Sequence, residues 1–172
     1  MLFLAQIDRG LRCNVYALGA LNEEVRVNLP YADLRALLGR KCSRDLAQLD
    51  RLLGVTKDLG PPFALGKAAR VTDTGLYEIR TRRGTRLFWI YGPDRAVILL
   101  NGYQKQKWAI PRHELARACS WADALARQDL SALLAAARPM GSAIASAARD
   151  PRHTSAVRKC SPQSKSNNLI KT

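Results

Sequence analysis

The sequence predicts an α+β fold in which a helical hairpin packs on a small, mostly antiparallel sheet, with a further helix towards the C-terminus. Three observations predict it. Leucines recur at helical spacing through residues 34–53. Between residues 76 and 103 the pattern changes to alternation broken by short turns. A new helical stripe starts after Pro111. A period near 3.6 marks an amphipathic helix and a period of two marks a strand, so the change of period is a change of element.

Residues 1–22 carry no clear period and are read as an N-terminal extension, either with an extra strand around residues 13–18 or as an irregular arm. Glu23-Glu-Val-Arg-Val-Asn28 alternates and is read as the first strand of the domain. Pro30 and Tyr31 lead into a helical pattern, in which Leu34, Leu37 and Leu38 recur at helical spacing, and Gly39 reads as the stop. Ser43 is the expected N-cap of a second helix carrying Leu46, Leu49, Leu52 and Leu53 on one side. Gly60-Pro61-Pro62 ends this helical section.

Leu76-Tyr-Glu-Ile-Arg-Thr-Arg82, Arg86-Leu-Phe-Trp-Ile-Tyr91 and Ala96-Val-Ile-Leu-Leu-Asn-Gly-Tyr103 read as three strands. The turns at Arg83-Gly84 and Gly92-Pro93-Asp94-Arg95 join them into a meander. After Pro111 the stripe Leu115, Ala118, Trp121, Leu125, extended by Leu130, Leu133 and Leu134, predicts the last helix. The expected organisation is an extension (1–22), a domain (23–126), a helical extension (127–138) and a mobile basic tail (139–172) with no periodic apolar face. Hydrophobic residues make up 47% of the chain and aromatics only 6%, so the core is expected to be mainly aliphatic.

Charge narrows the function. The 28 Lys and Arg against 14 Asp and Glu give a net charge of +14, which favours a polyanionic partner such as nucleic acid. The excess is concentrated: residues 67–118 hold 11 basic against 4 acidic residues, whereas residues 1–66 hold 9 against 7. A charge excess on strands makes a surface, and one on a tail makes a loose tether. Cys13, Cys42, Cys119 and Cys160 lie far apart and form no Cys-x-x-Cys pair, and the histidines are His113 and His153. Zinc-type spacing is absent, no metal or cofactor is expected, and four free thiols fit a reducing cytoplasm. The apolar start Met1-Leu-Phe-Leu-Ala5 is broken by Gln6, Asp8 and Arg9, too short a run for a signal peptide or a membrane helix, so no membrane partner is expected.

Alternation places Glu78, Arg80 and Arg82 on one face of the first meander strand, Arg86, Phe88 and Ile90 on one face of the second, and Asn101, Tyr103 and Lys105 on one face of the third. If these faces coincide they form a basic groove with a ring for base stacking. The plainer reading of Arg80 is an ion pair with Glu78 or Glu114. Tyr91 and Tyr103 are more often packing aromatics, as are Trp89 and Trp108. His113 and His153, and the tail pair Arg158-Lys159, are read as structural or solvated.

The same residues carry a resemblance. Gly75-Leu-Tyr-Glu-Ile-Arg80, Arg86-Leu-Phe-Trp-Ile-Tyr91, Ile98-Leu-Leu-Asn-Gly-Tyr-Gln-Lys105 and Pro111-Arg-His-Glu-Leu-Ala-Arg-Ala118 stand in the order and spacing of corresponding stretches of a known family. The chain resembles the phage-derived branch of the RelE/HigB toxin superfamily over about a third of its length. It departs from that pattern at Asn101, where the family commonly has His, and at Gln106 and Ala109, where lysines are usual. The resemblance implies a RelE-like fold and a toxin of a type II toxin–antitoxin pair: an mRNA endoribonuclease, often ribosome-associated, silenced by a cognate antitoxin that is frequently of helix-turn-helix type. On this reading Arg80, Arg86, Tyr103 and Lys105 are the expected catalytic residues, and Arg82, Arg83, Tyr91 and Lys107 the expected RNA-binding ones. The alternatives are a non-catalytic RNA- or ribosome-binding protein on the same fold, and a phage regulator that binds a host protein.

Overall fold

The structure is a computed structural model that describes residues 1–22, 26–60, 70–71, 75–105 and 111–142. In chain order its elements are β1 (Leu2–Arg9), β2 (Asn14–Leu21), β3 (Val27–Asn28), α1 (Pro30–Lys41), α2 (Ser43–Leu59), β4 (Arg70–Val71), β5 (Leu76–Arg80), β6 (Thr85–Tyr91), β7 (Ala96–Gln104), α3 (Arg112–Ala126), α4 (Leu130–Ala135) and β8 (Arg138–Pro139). The class is α+β with one mixed sheet in the order β4-β5-β6-β7-β2-β1-β8, and β3 pairs with β2 beside that path.

The sheet is larger than the sequence suggested, because residues 1–22 belong to it. β1 and β2 form an antiparallel hairpin, and β2 pairs in parallel with β7 from Asn14↔Ala96 to Ala17↔Leu99. The N-terminal segment is therefore a central part of the domain and not an extension. Val15, Ala17 and Leu18 are at most 1% exposed. A strand buried on both faces loses its alternation, and here small residues such as Ala17, Gly19 and Ala20 weaken the β signal further. A Cβ at Gly19 would stand 2.3 Å from the Phe3 ring, so a larger residue there requires that ring to move.

The meander β5-β6-β7 forms as expected, in antiparallel register Arg80↔Arg86 and Arg86↔Tyr103. Between Leu87↔Gly102 and Trp89↔Leu99 the register shifts, so that Leu100 and Asn101 together oppose Phe88. This is a β-bulge in β7, an extra residue that re-aims the side chains after it.

Helices cover both faces. Leu34 and Leu38 of α1 and Leu49 and Leu53 of α2 pack on Val15, Ile79, Leu87, Trp89, Val97 and Leu99. Ala118 and Leu125 of α3 pack on Tyr16, Leu18, Phe88, Ile98 and Leu100, with Leu130, Leu133 and Leu134 of α4 against the same cluster. The leucines of each helix fall on one side because positions three and four apart share a face.

Several boundaries differ from the sequence reading. Gly39 does not stop α1, which runs to Lys41, with Arg40 and Lys41 favourably placed near its negative end. Ser43 is the first residue of α2 and Cys42 its N-cap, with no side-chain hydrogen bond there. Of the strand expected over residues 23–28 only Val27–Asn28 is described, and residues 23–25 lie outside the described residues, as do Pro61 and Pro62. The tail boundary at 139 moves, since Ala5↔Arg138 and Gln6↔Pro139 pair in parallel and Met140 packs against the core. Residues 143–172, with His153, Arg158-Lys159 and Cys160, lie outside the described residues.

The position of β2 yields a direct expectation. A chain starting at residue 23 loses the strand that joins β7 to β1, together with the buried Val15, Ala17 and Leu18. It is expected not to fold, as measured by loss of a cooperative thermal transition in circular dichroism. A native-like melt of that fragment would show β1 and β2 to be dispensable.

Candidate functional site

The site is built on the face of β5-β6-β7 that looks towards α3. Glu78 and Arg80 are two residues apart on β5 and so share a face. Arg80 lies directly opposite Arg86, and Arg86 directly opposite Tyr103. The bulge decides the last of these placements. Without it Tyr103 would share the face of Val97 and Leu99, under α1 and α2. With it Leu100, Asn101 and Tyr103 all turn to the α3 side, while Gly102 turns to α1. A Cβ on Gly102 would stand 2.6 Å from Leu34 Cδ2 and 2.7 Å from the Arg86 carbonyl oxygen, so the position has room only for hydrogen.

A buried carboxylate joins the two arginines. Arg80 Nε donates to Glu78 Oε2 at 2.8 Å, and Arg86 Nε stands 3.5 Å from Glu78 Oε1. The second contact is an electrostatic one at the limit of hydrogen bonding, and Oε1 has no hydrogen-bond partner. The side chain of Glu78 is 1% exposed, that of Arg86 16% and that of Arg80 40%. Breaking a buried pair by removing one member typically costs about 3–5 kcal/mol, because the other charge is left uncompensated.

Two donors beside this carboxylate are unused. Arg86 Nη1 and the Tyr103 hydroxyl are buried and have no hydrogen-bond partner. The Tyr103 ring leans on Phe88 with centroids 6.0 Å apart. Burial pushes the Tyr103 pKa up, and the negative charges of Glu78 and Glu114 add to it, against the opposing pull of Arg86 and Arg80. The phenol is thereby held more firmly in its protonated form than an ordinary tyrosine.

Asn101 has a structural task. It is fully buried, and its Nδ2 donates to the Glu114 carbonyl oxygen at 3.1 Å and to Glu114 Oε2 at 2.8 Å. It ties the bulge to the first turn of α3. His113 is next to this link, with Nε2 3.5 Å from Glu114 Oε1 and a side chain 80% exposed.

The β5–β6 turn is held from the opposite side. Thr85 Oγ1 donates to the fully buried Asp45 of α2, and Arg82 N donates to Gln48 Oε1 at 3.0 Å. Gly84 adopts φ +100°, and its carbonyl accepts from Lys105 N at 2.8 Å. The end of β7 is thus drawn against the turn that carries Arg82 and Arg83.

The structure therefore brings Arg80, Arg86 and Tyr103 together, with Glu78 beneath them. Lys105 follows at the end of β7, half-buried beside the turn. Arg82 and Arg83 are exposed in the turn and do not continue the Glu78–Arg80 face along a strand. Tyr91 is a correction. It lies on the opposite face of β6 from Arg86, where it packs edge-on against Tyr77 (5.1 Å) and Trp89 (4.8 Å). Residues 86 and 91 differ by an odd number, so alternation separates them. Lys107, Gln106, Trp108 and Ala109 lie outside the described residues. Sequence reasoning assigned no role to Asp45 or Gln48, and read Glu114 as an ion-pair partner for Arg80 and not as the partner of Asn101. A lone acid or amide on a helix carries no mark of a cross-layer hydrogen bond.

A cleft of about 480 Å³ opens on the other side of the sheet, lined by Ile7, Val15, Leu53 and Met140. Its charged groups are already paired, Lys57 with Asp8 and Arg35 with Asp50. Among the described residues no group of His, Cys, Asp and Glu is disposed to hold a metal ion, and no helix is long and apolar enough to cross a membrane. The described cysteines, Cys13, Cys42 and Cys119, are free thiols.

The state of Tyr103 is measurable. The difference between ultraviolet titrations of the native chain and Tyr103→Phe is expected to show this phenol ionising above the ordinary tyrosine value of 10.0. A raised pKa means that the folded state holds the proton more tightly than the unfolded one. The associated stability is present below pH 10 and is lost as the pH rises through the folded value. A step at or below pH 10 would contradict the burial argument.

No curated protein matches the chain. Residues 43–120, from the start of α2 into α3 and including the whole of β5-β6-β7, match the family described as Phage derived protein Gp49-like (DUF891). Over this segment the chain is similar to that phage-derived family.

Proposed function

We propose that this protein is the toxin of a type II toxin–antitoxin pair and acts as a metal-independent endoribonuclease on translated mRNA in the cytoplasm. The observation that carries this reading is the convergence of Arg80, Arg86 and Tyr103 on one sheet face, with two buried donors unused. The similarity of residues 43–120 to a phage-derived family supports it. So does the basic excess of residues 67–118, the segment that contains these strands.

RNA cleavage of this kind needs the 2′-hydroxyl to lose its proton and attack the adjacent phosphorus. The P–O5′ bond then breaks and the 5′-oxygen takes a proton, leaving a 2′,3′-cyclic phosphate. The reaction accumulates negative charge on the non-bridging oxygens, where fixed donors act most strongly. Arg86 stabilises that charge, since a guanidinium stays protonated and offers a planar fork of donors. Lys105 with Arg80 positions and activates the 2′-hydroxyl. Tyr103 donates a hydrogen bond from its protonated phenol. Arg82 and Arg83, exposed at the rim, attract the flanking backbone. The partners are mRNA, the ribosome and a cognate antitoxin of helix-turn-helix type.

One observation favours a second reading. Asn101 is buried and its amide is committed to Glu114, so it presents no acid to a leaving oxygen. A non-catalytic RNA- or ribosome-binding protein on the same fold needs no such acid.

Two experiments decide between them. Arg86→Ala is expected to abolish toxicity and lower cleavage by about two to three orders of magnitude, the usual loss for one such donor. Arg86→Lys restores it only in part, since a point charge lacks the fork. Cleavage is expected to persist in EDTA and to leave a cyclic phosphate, assayed on free RNA and on programmed ribosomes. A folded native chain that cuts neither, or that EDTA stops, sinks the nuclease reading. Secondly, RNA affinity is expected to fall steeply with salt, and Arg82→Ala with Arg83→Ala to flatten the slope by about one to two units. An unchanged slope would place the RNA elsewhere.

A further inference from the structure

We propose that Glu78 is a positioning residue that binds the Arg80 and Arg86 guanidiniums into a single anion-binding fork. This rests on the function proposed above and names the group that makes its cation pair work. Arg80 and Arg86 stand directly opposite one another on antiparallel strands. Like charges in that relation repel, and two free guanidiniums would splay into water. Glu78 is the residue that opposes this. It lies diagonally from Arg86 on the neighbouring strand and two residues before Arg80 on the same one, within reach of both. One oxygen accepts from Arg80 Nε at 2.8 Å, and the other faces Arg86 Nε at 3.5 Å.

Both contacts are made through Nε. Each guanidinium is therefore gripped at its inner nitrogen, and neither Nη1 nor Nη2 of either arginine is used by the carboxylate. In Arg86, whose side chain is 16% exposed and which lies opposite Tyr103 on the neighbouring strand, Nη1 is buried and has no hydrogen-bond partner. Burial of the Glu78 carboxyl to 1% exposure keeps it from touching an incoming phosphate, so its effect passes through the arginines. One anion against two cations leaves the cluster with one net positive charge, and the low dielectric of the site strengthens its attraction for a phosphodiester. A carboxylate exposed beside the same arginines would instead compete with the phosphate for their donors.

The test is a double-mutant cycle of Glu78→Gln and Arg86→Ala, with circular dichroism to confirm folding. On RNA, free or on programmed ribosomes, Glu78→Gln is expected to lower kcat about 10²-fold, the scale of a slight misplacement, and to change KM less than about threefold. On the Arg86→Ala background it is expected to add less than about threefold, because the group it positions is gone. Full multiplication of the two losses, or native kcat in Glu78→Gln, overturns the proposal. If Glu78→Gln does not fold, Glu78→Asp takes its place, with the charge kept and the reach shortened, and the same split between kcat and KM is expected. A second arm needs no activity. In nitrogen-15 spectra of the native chain the Nε–Hε groups of Arg80 and Arg86 are expected to exchange slowly, and inorganic phosphate to shift the Arg86 signal. In Glu78→Gln both signals are expected to exchange fast and the phosphate response to fall at least about tenfold in affinity. Unaltered exchange and phosphate response overturn the positioning role whatever the RNA result. A native chain that leaves RNA uncut but shows the expected spectra removes the nuclease reading and leaves the fork standing.

Discussion

The extra residue in β7 opposite Phe88 is the constraint on which the site depends. β7 is buried on both faces, and its side chains are assigned strictly to α1 and α2 on one side or α3 on the other. Adding one residue to the strand inverts that assignment for everything beyond it. Asn101 then reaches Glu114 and fixes the start of α3, Gly102 takes the only orientation that lets α1 approach, and Tyr103 arrives beside Arg86. The bulge is held by close contacts on both faces, with Leu34 against Gly102 and α3 against Asn101. A shift by one residue would break both at once.

Three acids, two of them buried, organise the basic surface. Glu78 sits under Arg80 and Arg86, Glu114 under the bulge, and Asp45 under the turn that carries Arg82 and Arg83. In each case a carboxylate on the inner side fixes backbone or side chain so that cations or donors face outward. Of the acids in residues 67–118, Glu78 is buried and counters two cations, while Asp94 is exposed. The proposed phosphate chemistry depends on the same division, because a guanidinium already fixed by a buried anion needs no reorganisation when charge develops in front of it.

The helical hairpin, the meander and the stripe of α3 were legible because each has a surface with a period. β1 and β2 were not legible as part of the domain. Their partners lie elsewhere in the chain, and β2, sealed on both faces, has lost the alternation that marks a strand. The grouping of Glu78 with Arg80, of Arg86 with Phe88 and of Asn101 with Tyr103 followed from alternation within each strand. Whether the three groups meet depends on register and on the bulge, and neither is written in any one strand. Tyr91 was misplaced for another reason. Its aromatic character outweighed a parity that already put it behind Arg86, in the Tyr77–Trp89 stack. Asp45 looked like one polar residue among several on α2. Its partner Thr85 is forty residues away, beyond the reach of any local pattern.

The pairing of β2 with β7 also has a consequence in time. Asn14 must wait for Ala96, and the sheet has no centre until both are present. Closing so long a loop is entropically costly, and pairings this distant in sequence slow folding. During synthesis from the N-terminus the β1–β2 hairpin emerges early, but the Asn14–Ala17 stretch of β2 stays without its inner partner until Ala96–Leu99 have left the ribosome. The guanidinium cluster and the strand that completes it appear in the same late interval. A nascent chain therefore holds no assembled cluster until β7 has been made and paired.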